Sequence, residues 1–536
     1  MVTKNDIMIG REREKAELQR SLESDRSEFV IVYGRRRVGK TYLVDQFFNR
    51  NYDFSFVGGH RLPKTRQLRN FAKSLKKYAH MKQMPVFHEW FDAFDALEEY
   101  LESLSDDRRK VIFFDEMPWI DTPHSEFVDA LEMFWNGWAA RRSDIVFVAS
   151  GSSTSWMVDK IVENQGGLHG RVTNNIYVRP FTLYETEQYL HSRNINWDRY
   201  QILQTYMVIG GIPFYYSLLD PRESLVQNID RLFFRKNGEL RTEFEELYNA
   251  LFTHSEKYVS VVRALNAVRD GMTRDEISKA TSLKDAVLTN VLRNLERCDF
   301  IIRYSQYGNK TKGAIYRLVD FYTLFYYRFV ESHNGKDEQW WSHHFQSHSV
   351  ESWQGMSFEL ICLTHLDQIK RRLGISGIAA EASSWRNAVS KGTDEKGAQI
   401  DLLIDRADRI INLCEMKFSV NPYVIFKDYE QTLRLRMAIF KEKTNTRKSL
   451  VNTFVTTFGV ANGIHHSIVD SEVLMEDLFE PEDCRNNGFI APSDPIATSR
   501  TFIRSALPLR RTHWSASHRP SNNIKRQMLF LPRTFR

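Results

Sequence analysis

At 536 residues the chain is too long for one hydrophobic core, and at roughly 100 to 200 residues per domain three or four units are expected. Hydrophobic residues at 42%, charged at 26% and aromatic at 13% exclude a disordered or low-complexity chain, and the net charge of +6 is concentrated at one end. No window approaches the roughly 18 apolar residues of a spanning helix, the start MVTKNDIMIGRERE lacks a signal-peptide core, and Cys298, Cys362, Cys414 and Cys484 form no CxxC pair. A reduced, cytoplasmic protein without a zinc site, and with no membrane partner, is expected.

Residues 1–185 alternate short apolar strands with amphipathic stretches, which predicts an α/β fold with a parallel sheet covered on both faces. The strand FVIVY runs into Gly34-Arg-Arg-Arg-Val-Gly39-Lys40-Thr41, the P-loop pattern GxxxxGK[ST], and a helix follows. Glycines let the backbone wrap phosphates, amide N–H groups and the helix N-terminus offer positive charge, Lys40 reaches the β/γ oxygens and Thr41 ligates Mg²⁺. Gly34, Val38, Gly39, Lys40, Thr41 and Tyr42 are thus expected around ATP, while Arg35, Arg36 and Arg37 fill positions where the loop tolerates any side chain. Some 70 residues on, VIFFD ends in Asp115 and Glu116; Asp115 is expected to hold Mg²⁺ through water and Glu116 to orient and deprotonate the attacking water. The strand IVFVASGSS ends in hydroxyls, so Ser150 or Ser152 is a candidate γ-phosphate sensor. Arg171 is a candidate arginine finger, in cis or across a subunit boundary. From 186 to 250 the pattern is helical, a lid, with Gly210-Gly211-Ile-Pro213 as a turn.

Residues 251–320 contain three helical segments followed by IIRYSQYGNKTKGAIYRLV, a hairpin around Gly308 to Gly313, which together read as a winged helix-turn-helix. Within it Lys284, Arg293 and Arg297 on the third helix, with Lys310 and Lys312 in the wing, are candidate DNA contacts, weakened by Asp285, Glu296 and Asp299. In nucleotide switches such a domain also packs on the ATPase module. Residues 321–350 are expected to form a packing or linker helix.

The combination of IGRERE (Ile9 to Glu14), GRRRVGKT, FFDEMPW, VASGSS, a GR followed by RPF, and GGIP resembles the archaeal-type predicted ATPase family, in the AAA+/STAND-like branch of P-loop ATPases. The resemblance covers roughly residues 5–330. It implies ATP binding and slow hydrolysis acting as a conformational switch, and it names no substrate.

Residues 351–470 form a separate α/β module. The strands IDLLID and INLCEMK, folded about Ala407 or Asp408, place Asp401 nearly opposite Glu415, with Lys417 on the same face as Glu415. Two carboxylates and a lysine at one sheet edge suit metal-dependent phosphodiester cleavage: the acids ligate Mg²⁺ and the lysine stabilises developing charge or positions water. The module resembles the PD-(D/E)xK, restriction-endonuclease-like core, with Glu359 on the preceding helix as a further acid. It also resembles a C-terminal domain that often follows this ATPase, in which SWR (Ser384 to Arg386), the acid at 401 and ExK recur; the residue before Asp401 is Ile400 instead of proline. After residue 484 the chain carries +9, ten Lys/Arg against Asp494 alone, leaving −3 for the rest, and this Ser/Pro/Asn-rich tail is expected to be a flexible basic appendage. The sequence therefore predicts an ATP- and Mg²⁺-dependent ATPase controlling a nuclease-like module, with DNA, a protein or a second copy of the chain as partner. The competing expectation is an ATP-gated switch or scaffold without cleavage.

Overall fold

Five N-terminal strands lie parallel in the order β2-β3-β4-β1-β5: β1 (Glu28–Tyr33), β2 (Phe54–Val57), β3 (Lys110–Asp115), β4 (Ile145–Gly151) and β5 (Asn174–Tyr177). The computed structural model describes residues 8–105, 107–163, 166–308, 314–387 and 397–481. β1, β3 and β4 are continuous apolar runs because both of their faces are buried. Alternate residues enter opposite cores. Val30, Val32 and Val148 meet Leu18 of α1 (Glu12–Glu23) and Leu43 and Val44 of α2 (Lys40–Phe47). Phe29, Ile31 and Phe147 share the other core with α3 (Lys64–Tyr78), α4 (Trp90–Glu102) and α5 (Phe127–Met133). A short α6 (Thr154–Trp156) follows β4 and continues as a π-helical turn, Met157–Val162.

The helical region comprises α7 (Leu183–Ser192), α8 (Arg199–Ile209), α9 (Pro213–Ser217), α10 (Leu225–Ile229) and α11 (Glu243–Leu251). Capping boxes start the first two: Thr182 accepts the N–H of Glu185, and Asp198 that of Gln201. Every residue of α8 from Ile202 to Ile209 is buried, so this helix is a hub and has no solvent face. Next come α12 (Ser255–Asn266), β6 (Met272–Thr273), α13 (Arg274–Thr281), α14 (Asp285–Arg297), β7 (Ile301–Tyr304) and β8 (Ile315–Leu318), with an antiparallel sheet in the order β6-β8-β7. The expected hairpin thus has a third, two-residue strand; Lys310 and Lys312 lie outside the described residues. The aromatic stretch after β8 becomes α15 (Phe321–Phe325), which packs on α8, and after it comes α16 (Trp340–His344).

The C-terminal module is built from α17 (His348–Thr364), α18 (Leu366–Arg372), β9 (Ala380–Asn387), β10 (Ala398–Arg406), β11 (Ile410–Lys417), α19 (Lys427–Thr444), β12 (Ser449–Thr456), β13 (Ser471–Leu474) and α20 (Met475–Leu478). The sheet order is β13-β12-β11-β10-β9: β9, β10 and β11 are antiparallel, and α19 carries the chain from β11 to a parallel β12. β9 and β13 escape a periodicity reading, one being largely polar and the other only four residues long. One hydrophobic core runs from the ATPase sheet through α8 and α15 to Phe358 and Ile361 of α17 and Leu402 and Cys414 of the C-terminal sheet. The basic tail lies outside the described residues.

Candidate nucleotide-binding and hydrolysis site

The P-loop leaves β1 at its carboxyl end, where β1, β3 and β4 all deliver polar residues. Gly34 has φ +146, and a Cβ there would stand 2.4 Å from the carbonyl oxygen of Val178, so only glycine lets the loop pass β5. Gly39, at φ +92, is the N-cap residue of α2 and opens the N–H groups of that helix toward the loop. Lys40 is buried, and its Nζ donates to the carbonyls of Gly34 at 3.0 Å and Arg35 at 2.9 Å. Burial pushes its pKa down, opposed by the charges of Glu116 and Asp115. Arg11, from the IGRERE segment, braces the loop from behind: its guanidinium donates to the carbonyls of Val38 (2.9 Å) and Arg179 (2.6 Å) and lies over the Phe181 ring.

The acid end is equally connected. Thr41 Oγ1 lies 3.1 and 3.0 Å from the two oxygens of Asp115, which also accepts from the Ser150 hydroxyl. Burial raises the pKa of Asp115, with the Ser150 and Thr41 hydrogen bonds opposing. Glu116 sits at φ +49, a strained conformation of the kind found at functional sites. Its carboxylate accepts from Ser152, the backbone N–H at 3.1 Å and Oγ at 2.5 Å. Ser150 therefore holds Asp115 and Ser152 holds Glu116. The structure does not bring Arg171 here. It is exposed and precedes β5, whose Asn174 pairs with Val30 near the start of β1, so it lies at the end of the sheet away from the P-loop.

Two P-loop arginines correct the expectation that their positions are unconstrained. Arg35 is 2% exposed, ion-paired with Asp320 at the N-terminus of α15, and its guanidinium stands 4.4 Å from the Phe300 ring centroid. Arg37 pairs with Glu243 of α11 at 2.6 Å and covers the Phe214 ring at 4.2 Å. Sequence reasoning missed both because their partners lie hundreds of residues downstream.

A cavity of about 450 Å³ opens beside the loop, within the size range of small-ligand pockets. Arg36, Val38, Gly39, Lys40, Thr41, Glu116 and Ser152 line its polar end; Met8, Ile9, Tyr42, Phe181, Tyr189, Pro213 and Phe214 form an apolar slot suited to a planar base. Tyr189, Ser192 and Arg193 bring α7 into this wall. Gly211 fixes the turn that presents Pro213, since a Cβ there would lie 2.0 Å from the Phe181 carbonyl.

The C-terminal strands β10 and β11 pair in the expected register, with Lys417 beside Glu415, and a bulge is added next to Asp401. Leu402 pairs with Cys414, which puts Asp401 next in register with Glu415, but a β-bulge interrupts β10 against β9 between Ile400 and Leu403. Ile400 and Leu403 enter the core under Phe440 of α19, whereas Leu402 and Cys414 enter the core shared with α17. Asp401 thus stands at the crossover of faces. Glu415 is on the α19 side, accepting from Tyr429, Lys417 (2.7 Å) and Arg436 (2.5 Å), and these cations hold its pKa low against burial. Glu359, on α17, pairs instead with Arg269 and, at 3.5 Å, Arg317. Among the described residues no group of three His, Cys, Asp or Glu side chains is placed to hold a metal, so a Mg²⁺ shared by Asp401, Glu415 and Glu359 does not fit this arrangement.

The DNA-facing candidates are also partly committed. Arg297 is buried and pairs with Asp159 (2.7 Å) and Glu163 (3.1 Å) after α6, and Arg293 reaches Asp159 at 3.6 Å. Asp299 accepts from Tyr177 of β5, while Lys284 is exposed. Cys298, Cys362 and Cys414 are free and buried, and among the described residues no helix is long and apolar enough to cross a membrane.

A five-stranded parallel sheet with this loop, this buried lysine and a paired Thr41–Asp115 defines a P-loop nucleotide-binding domain. Residues 8–219 match the family described as an ATPase domain predominantly from Archaea, so this part of the chain is an ATP-binding ATPase domain. An uncharacterized protein of Methanocaldococcus jannaschii is 25% identical over 328 residues, covering 60% of this chain and 69% of that protein. Among solved structures, a Walker-type ATPase of Pyrococcus abyssi aligns with 60% of this chain and 96% of its own, at 19% identity and TM-score 0.44. The ORC2 protein of Aeropyrum pernix, in ADPNP–ADP complexes, aligns with 59% and 91% at 14% identity and TM-score 0.36.

Proposed function

We propose that the chain is an ATP-hydrolysing switch whose nucleotide state controls its C-terminal module, a restriction-endonuclease-like, DNA-directed domain. One observation carries this reading: α7 lines the nucleotide cavity with Tyr189, Ser192 and Arg193, while its first residue, Leu183, donates its N–H to Nε2 of His365 in the C-terminal module at 3.1 Å. Tyr200 of α8 is likewise stacked between Phe418 and Phe458, at 5.1 and 5.7 Å. A shift of this helix pair on nucleotide binding is therefore felt across the junction.

In the hydrolysis step the loop N–H groups and Lys40 hold the phosphates, which requires Lys40 to leave the carbonyls of Gly34 and Arg35. Glu116, fixed by Ser152, orients the attacking water and takes its proton. Thr41, at the pocket, and Asp115, whose carboxylate accepts its hydroxyl at 3.0 Å, would hold a Mg²⁺ ion, which would supply neutralisation of phosphate charge. A role for Arg171 as an arginine finger requires a second copy of the chain. The order α17-β9-β10-β11-α19-β12 with Asp401, Glu415 and Lys417 supports the nuclease-like reading, and the exposed Lys284 leaves the start of α14 available to DNA.

The second reading, an ATP-gated scaffold without cleavage, is favoured by the ion pairs that already occupy Glu359 (Arg269, Arg317) and Glu415 (Lys417, Arg436). The two part in a cleavage assay on linear and supercoiled DNA with and without ATP and Mg²⁺. ATP-dependent degradation lost in Lys40→Ala and in Asp401→Ala supports the first. ATP turnover with no cleavage of any nucleic acid sinks it.

A further inference from the structure

The cavity beside the P-loop carries an excess of positive charge. Among the described residues that line it, Arg11, Arg36, Arg37, Lys40 and Arg193 are cationic and Glu116 is the one anion. Two of the arginines are committed to the chain itself: Arg11 to the carbonyls of Val38 and Arg179, and Arg37 to Glu243 at 2.6 Å. Arg193 stands with Tyr189 in the α7 wall, by the apolar slot. That leaves Lys40 and Arg36 at the polar end, with Glu116 and Ser152. Arg36 is placed by its neighbours. Arg35, buried against Asp320 and the Phe300 ring, fixes one side of it. Arg37, at φ +71 in the left-handed region, fixes the other through Glu243 and the Phe214 ring at 4.2 Å. Between these two anchors Arg36 is only partly exposed, and among the described residues no hydrogen bond or ion pair of the chain takes its guanidinium.

The charge of Arg36 bears on Lys40: burial chiefly lowers the Lys40 pKa, Arg36 adds to the fall, and Glu116 opposes it. Two cations in one part-buried wall repel each other, and a polyanion relieves that repulsion. We propose that Arg36 meets the γ-phosphate of ATP and neutralises the charge that develops there, so that one chain hydrolyses ATP with an arginine of its own P-loop. The inference rests on the hydrolytic reading of this site and adds a residue to it. The attacking water lies between Glu116 and the γ-phosphorus, so the last phosphate of the row is the one on the Glu116 side of the cavity. The water oxygen bonds to that phosphorus as its bond to the β–γ bridging oxygen breaks, one water proton passes to Glu116, and ADP and phosphate result. Arg36 stays protonated throughout; it holds charge and moves no proton. Arg171, toward the opposite end of the sheet, has no part in this arrangement.

The test compares the affinities of the full chain for a non-hydrolysable ATP analogue and for ADP, by isothermal titration with Mg²⁺, beside steady-state ATP turnover. Wild type, Arg36→Ala and Arg36→Lys are measured together. Arg36→Ala is expected to fold as wild type, to bind the ATP analogue about ten-fold more weakly, and to bind ADP within about two-fold of wild type. Its turnover should fall on the order of 10²–10³-fold, and Arg36→Lys should recover part of both losses. A role in shaping the loop alone would weaken ADP and the ATP analogue equally, and that result overturns the proposal. So does turnover of Arg36→Ala at the wild-type rate. Turnover that rises with protein concentration and is lost in Arg171→Ala overturns it too, by placing the arginine on a second copy. Wild type that binds both nucleotides without hydrolysing ATP overturns the hydrolytic reading, and the ratio of the two affinities still decides whether Arg36 meets the γ-phosphate.

Discussion

Arg35 in the P-loop and Asp320 at the start of α15, 285 residues apart in the chain, form a buried ion pair. The backbone carbonyl of Arg35 meanwhile accepts from Lys40, the residue that must move to meet a phosphate. Asp320 caps α15 by accepting the N–H of Thr323 at 3.1 Å, and α15 packs on α8. A chain of direct contacts thus leads from the phosphate end of the cavity to the helix hub.

Removing one partner of this pair strands a buried charge. Arg35→Met is expected to destabilise the protein by about 3–5 kcal/mol, and the double change Arg35→Met/Asp320→Leu should recover much of the loss. Arg36→Ala, which removes a partly exposed side chain, should stay within about 0.5 kcal/mol. Urea unfolding of the three variants checks the ranking. Equal effects of Arg35 and Arg36 substitutions would refute the pairing.

The hydrolytic roles divide between residues that bind and residues that act. Lys40→Ala should abolish ATP binding, whereas Glu116→Gln should retain it and lose on the order of 10²–10⁴-fold in turnover. Ser152→Ala frees the Glu116 carboxylate and should cost about ten-fold in turnover with little change in ATP affinity. Isothermal titration beside steady-state hydrolysis distinguishes these outcomes.

The first helical N–H of α7 is received by a neutral His365. Burial lowers the pKa of this histidine from 6.5 to about 4, with the hydrogen bond to the Ile361 carbonyl opposing the shift. The folded value lies below the unfolded one, so the unfolded chain binds the proton more tightly. The neutral ring's full contribution is present above pH 6.5 and is lost as pH falls toward 4. At about 1.4 kcal/mol for each pH unit between the unfolded and folded values, roughly 3 kcal/mol is at stake. Unfolding free energies at pH 7.5 and 5 should differ more in wild type than in His365→Gln. A His365→Gln protein with an unchanged pH slope contradicts the assignment.

What the sequence could and could not disclose follows from distance along the chain. The P-loop, Asp115, Glu116 and Ser152 are legible because each is a few residues at the end of an apolar strand, where a parallel sheet exposes its loops. Arg35, Arg37 and the α7 wall are not, since Asp320, Glu243 and Tyr189 give no local sign of meeting the loop. In the C-terminal module the pairing of β10 with β11 is legible from the short turn between them. The bulge at Asp401 is not, because it is set by β9, a polar strand whose register no pattern fixes. That one-residue slip lies against β9 and leaves the β10–β11 ladder, with Asp401 next in register to Glu415, unbroken.

Tyr200, between Phe418 and Phe458, tests the junction itself. Tyr200→Ala should cost about 1–3 kcal/mol and weaken coupling between nucleotide and C-terminal module without lowering ATP affinity. Tyr200→Phe keeps the stack and should behave as wild type in both respects.

The most direct test of nucleotide control is hydrogen–deuterium exchange of the full chain with and without a non-hydrolysable ATP analogue and Mg²⁺. Protection is expected to change at the P-loop and α7, and also at residues 315–323 and along β10 and β11, with none of these changes in Lys40→Ala. Changes confined to the P-loop and its immediate cavity, with the C-terminal strands unmoved, would contradict the account.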